Sequence, residues 1–287
     1  MTRLQNGLIR LGDAFRIELA PTLHAPRPPG VPSYLAASDE QRADELAWMI
    51  KNPDIRAIIL ARGGYGLMRI LDRLDPALLR ADPKPIVGFS DATALLSWAY
   101  VACGVRGIHG PMIVQLPDLP EPQIGHLIGM LTNTRTSGPR PWQLAAHGTG
   151  VHTGPLLAGN LTMVSMLVGT PWALPLAGAV LALEEVGEKP YEIDRYLTQL
   201  RLTGALGGIG AVVLGELTRC TDANPPSGDV DPASAARDVV IERLRGIPLG
   251  IGAPLGHGAL NEAVPFGARS VLDLDRGTFE ITEPAVQ

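Results

Sequence analysis

KPIVGFSDATALLSWAYVACG, residues 84–104, is the stretch that decides the fold. Its apolar run at residues 85–87 is typical of a buried strand in a parallel sheet. After a glycine turn, residues 91–96 begin an apolar helix that Gly104 is suited to end. Ser90 therefore lies on a sharp turn from strand to helix, and the chain around it is predicted to form an α/β domain.

Ser90 has two interpretations on this turn. In the first, the turn lifts the hydroxyl off the carboxyl edge of the sheet, and N–H groups of the first helical turn point towards it. That geometry suits a nucleophile that builds a tetrahedral oxyanion. In the second, Ser90 is only the N-cap of the helix, and Asp91 is a favourable charge in the first turn. These residues alone leave both interpretations open.

Composition narrows the class of protein. The 287 residues are enough for two domains of roughly 150 residues each. With 46% apolar and 18% charged residues the chain can build a core, and a net charge of −5 argues against nucleic acid as a partner. No segment reads as an export signal or membrane span, and Cys103 and Cys220 are too few for a disulfide framework. We expect a soluble cytosolic protein.

Strands and helices alternate in the first part of the chain. Residues 55–60 predict a buried strand that leads into the glycine loop RGGYG at residues 62–66. Residues 67–74 predict a helix after that loop, and residues 107–111 predict another strand. This alternation indicates a parallel sheet whose ligands gather at the carboxyl ends of its strands. The N-terminal residues are an exception. Residues 7–11 predict the end of a helix and residues 15–19 predict a strand, but no buried strand precedes this helix.

The second half has a different organisation. We interpret residues 1–116 as an N-terminal α/β domain, residues 117–150 as a helix plus a linker, and residues 151–287 as a C-terminal domain. The elements predicted in the last of these are helices at residues 160–168 and 190–202, a helix from Asp231, strands at residues 179–183 and 211–214, and a hairpin at residues 270–281.

The glycine loop has three interpretations. It can cradle a phosphate, but it lacks the lysine of a P-loop and the spacing of a dinucleotide-binding loop. It can offer an unshielded backbone N–H to an oxyanion, or it is merely a tight turn. Its sequence does not choose between the last two.

Six histidines are candidate bases, although most histidines in proteins are structural or exposed. His257 stands out because glycines on both sides place it in a loop after a strand, where its ring can face a cleft. His109 ends a strand and is the main rival. The others are His24, His126, His147 and His152. No paired metal-binding motif is present, so we expect no metal site.

Three acids lie near one another at Glu184, Glu185 and Glu188, a pattern that usually means a solvated loop. Glu184, however, ends an apolar strand, which is an unusual place for a charge without a partner. A carboxylate there can orient an imidazole, as in a Ser-His-acid triad. The chain order Ser, Glu, His is one of several that such triads use.

Six short motifs occur together in one order: RGGYG at residues 62–66, GFSD at 88–91, HGPM at 109–112, GNL at 159–161, LEEVGEKPYEIDR at 183–195 and GHG at 256–258. With them the chain resembles the LD-carboxypeptidases, the muramoyltetrapeptide carboxypeptidases of serine peptidase family S66. The resemblance covers roughly residues 7–283. Each motif is weak by itself, but the six in register are specific.

The resemblance implies an N-terminal flavodoxin-like domain with a parallel sheet and a smaller, β-rich α+β domain at the C-terminus, with the site in the groove between them. It assigns the nucleophile to Ser90, the acid to Glu184 and the base to His257. It assigns the oxyanion donors to the backbone N–H groups of Asp91 and Gly64. The implied activity is removal of the terminal D-alanine from a murein tetrapeptide in the bacterial cytoplasm, without a cofactor, a metal or a membrane partner, often as a homodimer.

The front of the chain departs from the family pattern, in which a strand and an Ala-Pro-Ser loop precede the first helix. We therefore expect an unfilled strand position in the N-terminal sheet. Two other functions stay open. One is a hydrolase of the microcin C7 immunity type, which acts on a peptidyl-nucleotide, and the other is a non-catalytic binding protein of the same fold.

Overall fold

Two β-sheets organise the chain. The computed structural model describes residues 2–23, 25–222 and 233–286. Its helices are α1 (Arg3–Gly12), α2 (Asp39–Lys51), α3 (Pro76–Ala81), α4 (Thr93–Cys103), α5 (Glu121–Thr132), α6 (Leu161–Leu167), α7 (Pro190–Leu202) and α8 (Ser234–Arg243). Its strands are β1 (Ile58–Ile59), β2 (Ile86–Gly88), β3 (Gly107–His109), β4 (Gly138–Arg140), β5 (Ala145–His147), β6 (Val151–Asn160), β7 (Val180–Val186), β8 (Ala211–Thr218), β9 (Leu249–Ile251), β10 (Val264–Phe266), β11 (Arg269–Asp273) and β12 (Thr278–Ile281).

The first sheet has the order β1-β2-β3-β10. Strands β1, β2 and β3 are parallel, as the alternation of strands and helices predicts. Strand β10 comes from the C-terminal half and pairs antiparallel with β3, so that Val264 lies opposite His109. The two halves of the chain therefore share this sheet.

The second sheet has the order β4-β12-β11-β6-β7-β8-β9-β5. Strands β6 to β9 are parallel, and antiparallel strands flank them on both sides. Strands β11 and β12 form the predicted hairpin. Residues 117–150 contain α5 and also β4 and β5, which are the two outermost strands of this sheet. The mixed α/β fold with a parallel sheet and a second sheet is thus confirmed.

One hydrophobic core runs through both halves. Buried residues of β2 and α4 belong to the same cluster as buried residues of β6, β7 and β8. Helix α4 is almost completely buried, which agrees with its apolar sequence. It ends at Gly104, whose φ of 70° is in the left-handed region that glycine tolerates. Residues 84–104 therefore contribute β2 and α4 to the core that the two sheets share.

The front of the chain differs from the prediction. Helix α1 forms where residues 7–11 predict a helix end, but residues 15–19 do not form a strand. They line a cavity of about 830 Å³ together with residues of α1, α2 and β1. Among the described residues β1 pairs only with β2, so its other edge has no partner strand. The strand prediction for residues 15–19 was wrong because a short isolated segment does not specify a partner strand.

Three further predictions differ in detail. Residues 67–73 form a 3-10 helix rather than an α-helix. The strand predicted at residues 55–60 shortens to β1. The helix expected from Asp231 begins at Ser234 as α8, and Asp231 itself lies outside the described residues.

Candidate active site

Ser90 follows β2 after one intervening residue, Phe89, and begins a single 3-10 turn, Ser90–Ala92, that leads into α4. Its φ is 62°, in the left-handed region, which costs a residue other than glycine about 1–2 kcal/mol. Neither this turn nor the start of α4 has a side-chain cap. Ser90 is therefore not the N-cap of the helix, and its strained backbone needs another explanation.

The glycine loop packs against Ser90. A β-carbon on Gly63 would lie 3.2 Å from the Ser90 β-carbon and 3.3 Å from its Oγ. These distances are tighter than ordinary van der Waals contact, so a side chain at position 63 would press on the hydroxyl. The loop backbone can approach Ser90 because Gly63 has no side chain. The assignment of the Gly64 and Asp91 N–H groups as oxyanion donors remains a prediction.

His257 and Glu184 form a hydrogen-bonded pair. The distance from His257 Nδ1 to Glu184 Oε2 is 2.7 Å. Glu184 lies near the end of β7 and is only 1% exposed, whereas the imidazole is partly exposed. The ring of His257 also lies 4.5 Å, between centroids, from the ring of Phe89. Since Phe89 immediately precedes Ser90, this contact places His257 beside the serine turn.

Glu185 has a different role from Glu184. Its carboxylate accepts hydrogen bonds from the Asn160 side chain at 2.8 Å, from the Thr162 N–H at 2.8 Å and hydroxyl at 2.7 Å, and from the Val186 N–H at 2.8 Å. Burial raises the pKa of Glu185, and these donors oppose that rise. Glu185 therefore fastens the start of α6 to β7. No local sequence pattern indicated this role, because Asn160 and Thr162 lie more than 20 residues before Glu185 in the chain.

His109 is unsuited to be the base. Its ring is 1% exposed, and no ring nitrogen has a well-aligned hydrogen bond within the described part of the chain. Burial first, and the nearby His257 second, lower the pKa of His109 to about 3. A group with that pKa is a weak base at neutral pH.

The remaining histidines lie elsewhere. The ring of His126 is within 3.1 Å of the Ala263 carbonyl oxygen, and that of His152 is within 3.0 Å of the Thr149 carbonyl oxygen. His147 lies on the exposed strand β5, and His24 is outside the described residues. His126 also lies 3.9 Å from the buried Glu262, but Arg140 binds that carboxylate. Of the described histidines, His257 is thus the one that hydrogen-bonds a buried carboxylate beside the Ser90 turn.

The described residues lack two features. None of their helices has both the length and the apolarity that crossing a bilayer requires. Over the same ranges, no three side chains of His, Cys, Asp or Glu converge as a metal site would need.

The arrangement has the side chains that nucleophilic catalysis by a serine requires. A serine on a strand-to-helix turn lies beside an imidazole whose Nδ1 is held by a buried carboxylate. Because Nδ1 faces Glu184, the free nitrogen of the ring is Nε2, the atom that can exchange a proton with a substrate or a serine. The glycine loop borders the same serine.

Comparison with known proteins identifies relatives over most of the chain. The sequence profile of the LD-carboxypeptidase N-terminal domain matches residues 1–110, and that of the LD-carboxypeptidase C-terminal domain matches residues 153–272. A murein tetrapeptide carboxypeptidase of Pseudomonas aeruginosa is 35% identical over 260 residues, which are 85% of this chain and 80% of that protein. The chain belongs to the LD-carboxypeptidase family.

Solved structures show the same fold. A muramoyltetrapeptide carboxypeptidase from Oxalobacter formigenes superimposes with a TM-score of 0.80 at 29% identity, covering 99% of this chain and 95% of that one. The microcin C7 self-immunity protein, solved with glutamyl sulfamoyl guanosine, gives a TM-score of 0.84 at 22% identity, with 100% and 92% coverage. At 22% identity the second likeness concerns the fold alone.

Proposed function

We propose that this protein is a cytoplasmic serine carboxypeptidase that releases the terminal D-alanine from a murein tetrapeptide by hydrolysing an L,D peptide bond. The observation that carries the proposal is the 2.7 Å pair of His257 and Glu184 beside the left-handed Ser90 turn. The named relatives of Pseudomonas aeruginosa and Oxalobacter formigenes support murein peptide as the substrate class.

The reaction follows from the roles of these side chains. Ser90 Oγ attacks the carbonyl carbon of the scissile bond while His257 Nε2 takes the hydroxyl proton. Glu184 holds Nδ1–H and stabilises the imidazolium that forms. The backbone N–H groups of Asp91 and Gly64 stabilise the oxyanion. His257 then gives its proton to the leaving nitrogen, D-alanine departs, and a water molecule activated by the same ring hydrolyses the acyl-enzyme.

A second candidate is hydrolysis of a peptidyl-nucleotide, as in microcin C7 immunity. It is supported by sequence similarity to the microcin C7 self-immunity protein of Escherichia coli, which is 27% identical over 87% of this chain. The triad chemistry would be the same for both substrates, so the difference lies in what the groove binds beyond the scissile bond.

The first prediction is that purified protein releases D-alanine from murein tetrapeptide, and does so at least about tenfold faster, by kcat/KM, than it cleaves a peptidyl-nucleotide. Both substrates are incubated with the same preparation, and the products are quantified by chromatography. The Ser90→Ala variant is the control that separates this activity from contaminants. Faster cleavage of the peptidyl-nucleotide would favour the second candidate, and no cleavage of either would favour a binding protein.

A further inference from the structure

The side chain of Asp91 has no task in the reaction as written above, although it adjoins the nucleophile. It is 7% exposed, and its Oδ2 accepts a hydrogen bond from the Leu67 N–H at 2.9 Å. The N–H of Gly66 is close enough to the same carboxylate to lower its pKa. These donors oppose the rise of the Asp91 pKa that burial causes. The carboxylate thus holds the far end of the glycine loop.

Arg42 holds the same end of the loop from another direction. Its two terminal nitrogens each donate to the Gly66 carbonyl oxygen at 3.1 Å. Arg42 also binds Asp39 at 2.7 Å, and Asp39 binds Arg69 at 2.6 Å. The two guanidinium groups hold the pKa of Asp39 at about 2. At neutral pH this network is charged and fixes Arg42 against the loop.

The near end of the loop meets Ser90 at Gly63, as described above. Gly64 therefore lies between a contact with the nucleophile and a part of the loop that Asp91 and Arg42 hold. An oxyanion hole stabilises charge only when its donors are already in place, because moving them during the reaction costs free energy. Glycine-rich backbone is the least able to hold such a position without outside contacts.

We propose that Asp91 is a positioning residue: its carboxylate ties the glycine loop to the Ser90 turn, so that the N–H of Gly64 and the N–H of Asp91 itself face one oxyanion. This inference rests on the proposed function, since it concerns the oxyanion donors of that reaction. It makes one residue the link between the two donors. Its backbone supplies one of them and its side chain places the other.

The test is the Asp91→Ala variant compared with wild type in the release of D-alanine. We expect kcat to fall by about 100-fold, as for loss of one oxyanion donor, and KM to change by less than about threefold. Asp91→Asn keeps one acceptor oxygen for the loop, so it should recover kcat to within about tenfold of wild type. A merely structural role would not give this separation of kcat from KM.

Asp75 offers a matched control. Its carboxylate also accepts a backbone hydrogen bond, from the Ala77 N–H at 2.9 Å, at the start of α3. Asp75→Ala therefore removes a similar hydrogen bond from side chain to backbone, but one that does not involve the glycine loop. It should leave kcat within about twofold of wild type. Thermal unfolding of all variants identifies any that fail to fold, in which case Asp91→Asn carries the comparison.

Hydrogen exchange supplies a readout that does not depend on activity. In Asp91→Ala the amides of Gly66 and Leu67 should exchange at least about tenfold faster, while those of β2 and α4 keep their protection. Unchanged exchange of the loop, or faster exchange with kcat within threefold of wild type, would overturn the inference. If wild type is inactive, or Ser90→Ala retains activity, the proposed function fails instead. The exchange result then decides alone whether Asp91 holds the loop.

Discussion

Ser90→Ala is expected to lower the kcat for D-alanine release by about 10⁴-fold or more, because the attacking oxygen is lost. The fold should survive. The Ser90 hydroxyl caps no helix, and alanine must adopt the same left-handed backbone, so the free energy of unfolding should change by less than about 0.5 kcal/mol. The measurements are initial rates with saturating tetrapeptide and thermal unfolding of both proteins.

A serine that truly caps a helix provides the control for this variant. Ser38 accepts the Gln41 N–H at 3.1 Å as the N-cap of α2. Ser38→Ala should cost about 1 kcal/mol of stability and leave kcat unchanged, which is the opposite pattern to Ser90→Ala. Should Ser90→Ala instead keep activity within a few-fold of wild type, Ser90 is not the nucleophile.

Glu184→Gln is expected to lower kcat by about 10³-fold or more, since an amide cannot stabilise the imidazolium of His257 as a carboxylate does. The substitution is nearly isosteric, and the amide oxygen can still accept a hydrogen bond from Nδ1–H, so the protein should remain folded. The loss should appear in kcat more than in KM, because the charge on the ring develops only during the reaction.

The neighbouring acid separates this effect from a general loss of charge. Glu185→Gln should keep kcat within a few-fold of wild type, because Glu185 faces α6 and not His257. It should instead lose about 1–3 kcal/mol of stability, since its oxygens accept from donors on both sides and one of them would become an NH₂ group. If Glu185→Gln were the inactive variant, the roles of the two acids would be reversed.

Local patterns predicted much of the fold. The strand, turn and helix around Ser90 form as expected because the apolar run, the glycine and the helix stop are all within 20 residues of one another. The structure also brings Glu184 and His257 into one hydrogen-bonded pair. That pairing was expected from the family resemblance, since the residues alone indicated a charge at the end of an apolar strand and left both His257 and His109 open as the base.

Features that depend on distant partners were not predictable from single segments. The pairing of β10 with β3 joins residues more than 150 positions apart, and nothing in the sequence of either strand specifies the other. The same holds for Asp91, which was interpreted as a first-turn charge but accepts the N–H of Leu67. A side chain that hydrogen-bonds the backbone of another loop produces no periodic pattern in the sequence.

The position of β10 in the first sheet has a consequence for how the protein folds. During synthesis, β1, β2 and β3 emerge early, but their sheet lacks its last strand until residue 266 has been made. Until then the β3 edge is open, and its backbone groups can pair with other chains. The contact has a long sequence separation, which slows folding and makes the final step cooperative between the two halves. Strand β10 follows His257 closely in the chain, so β10 and the loop that carries His257 reach their places together. Ser90 therefore does not meet His257 before the chain is nearly complete.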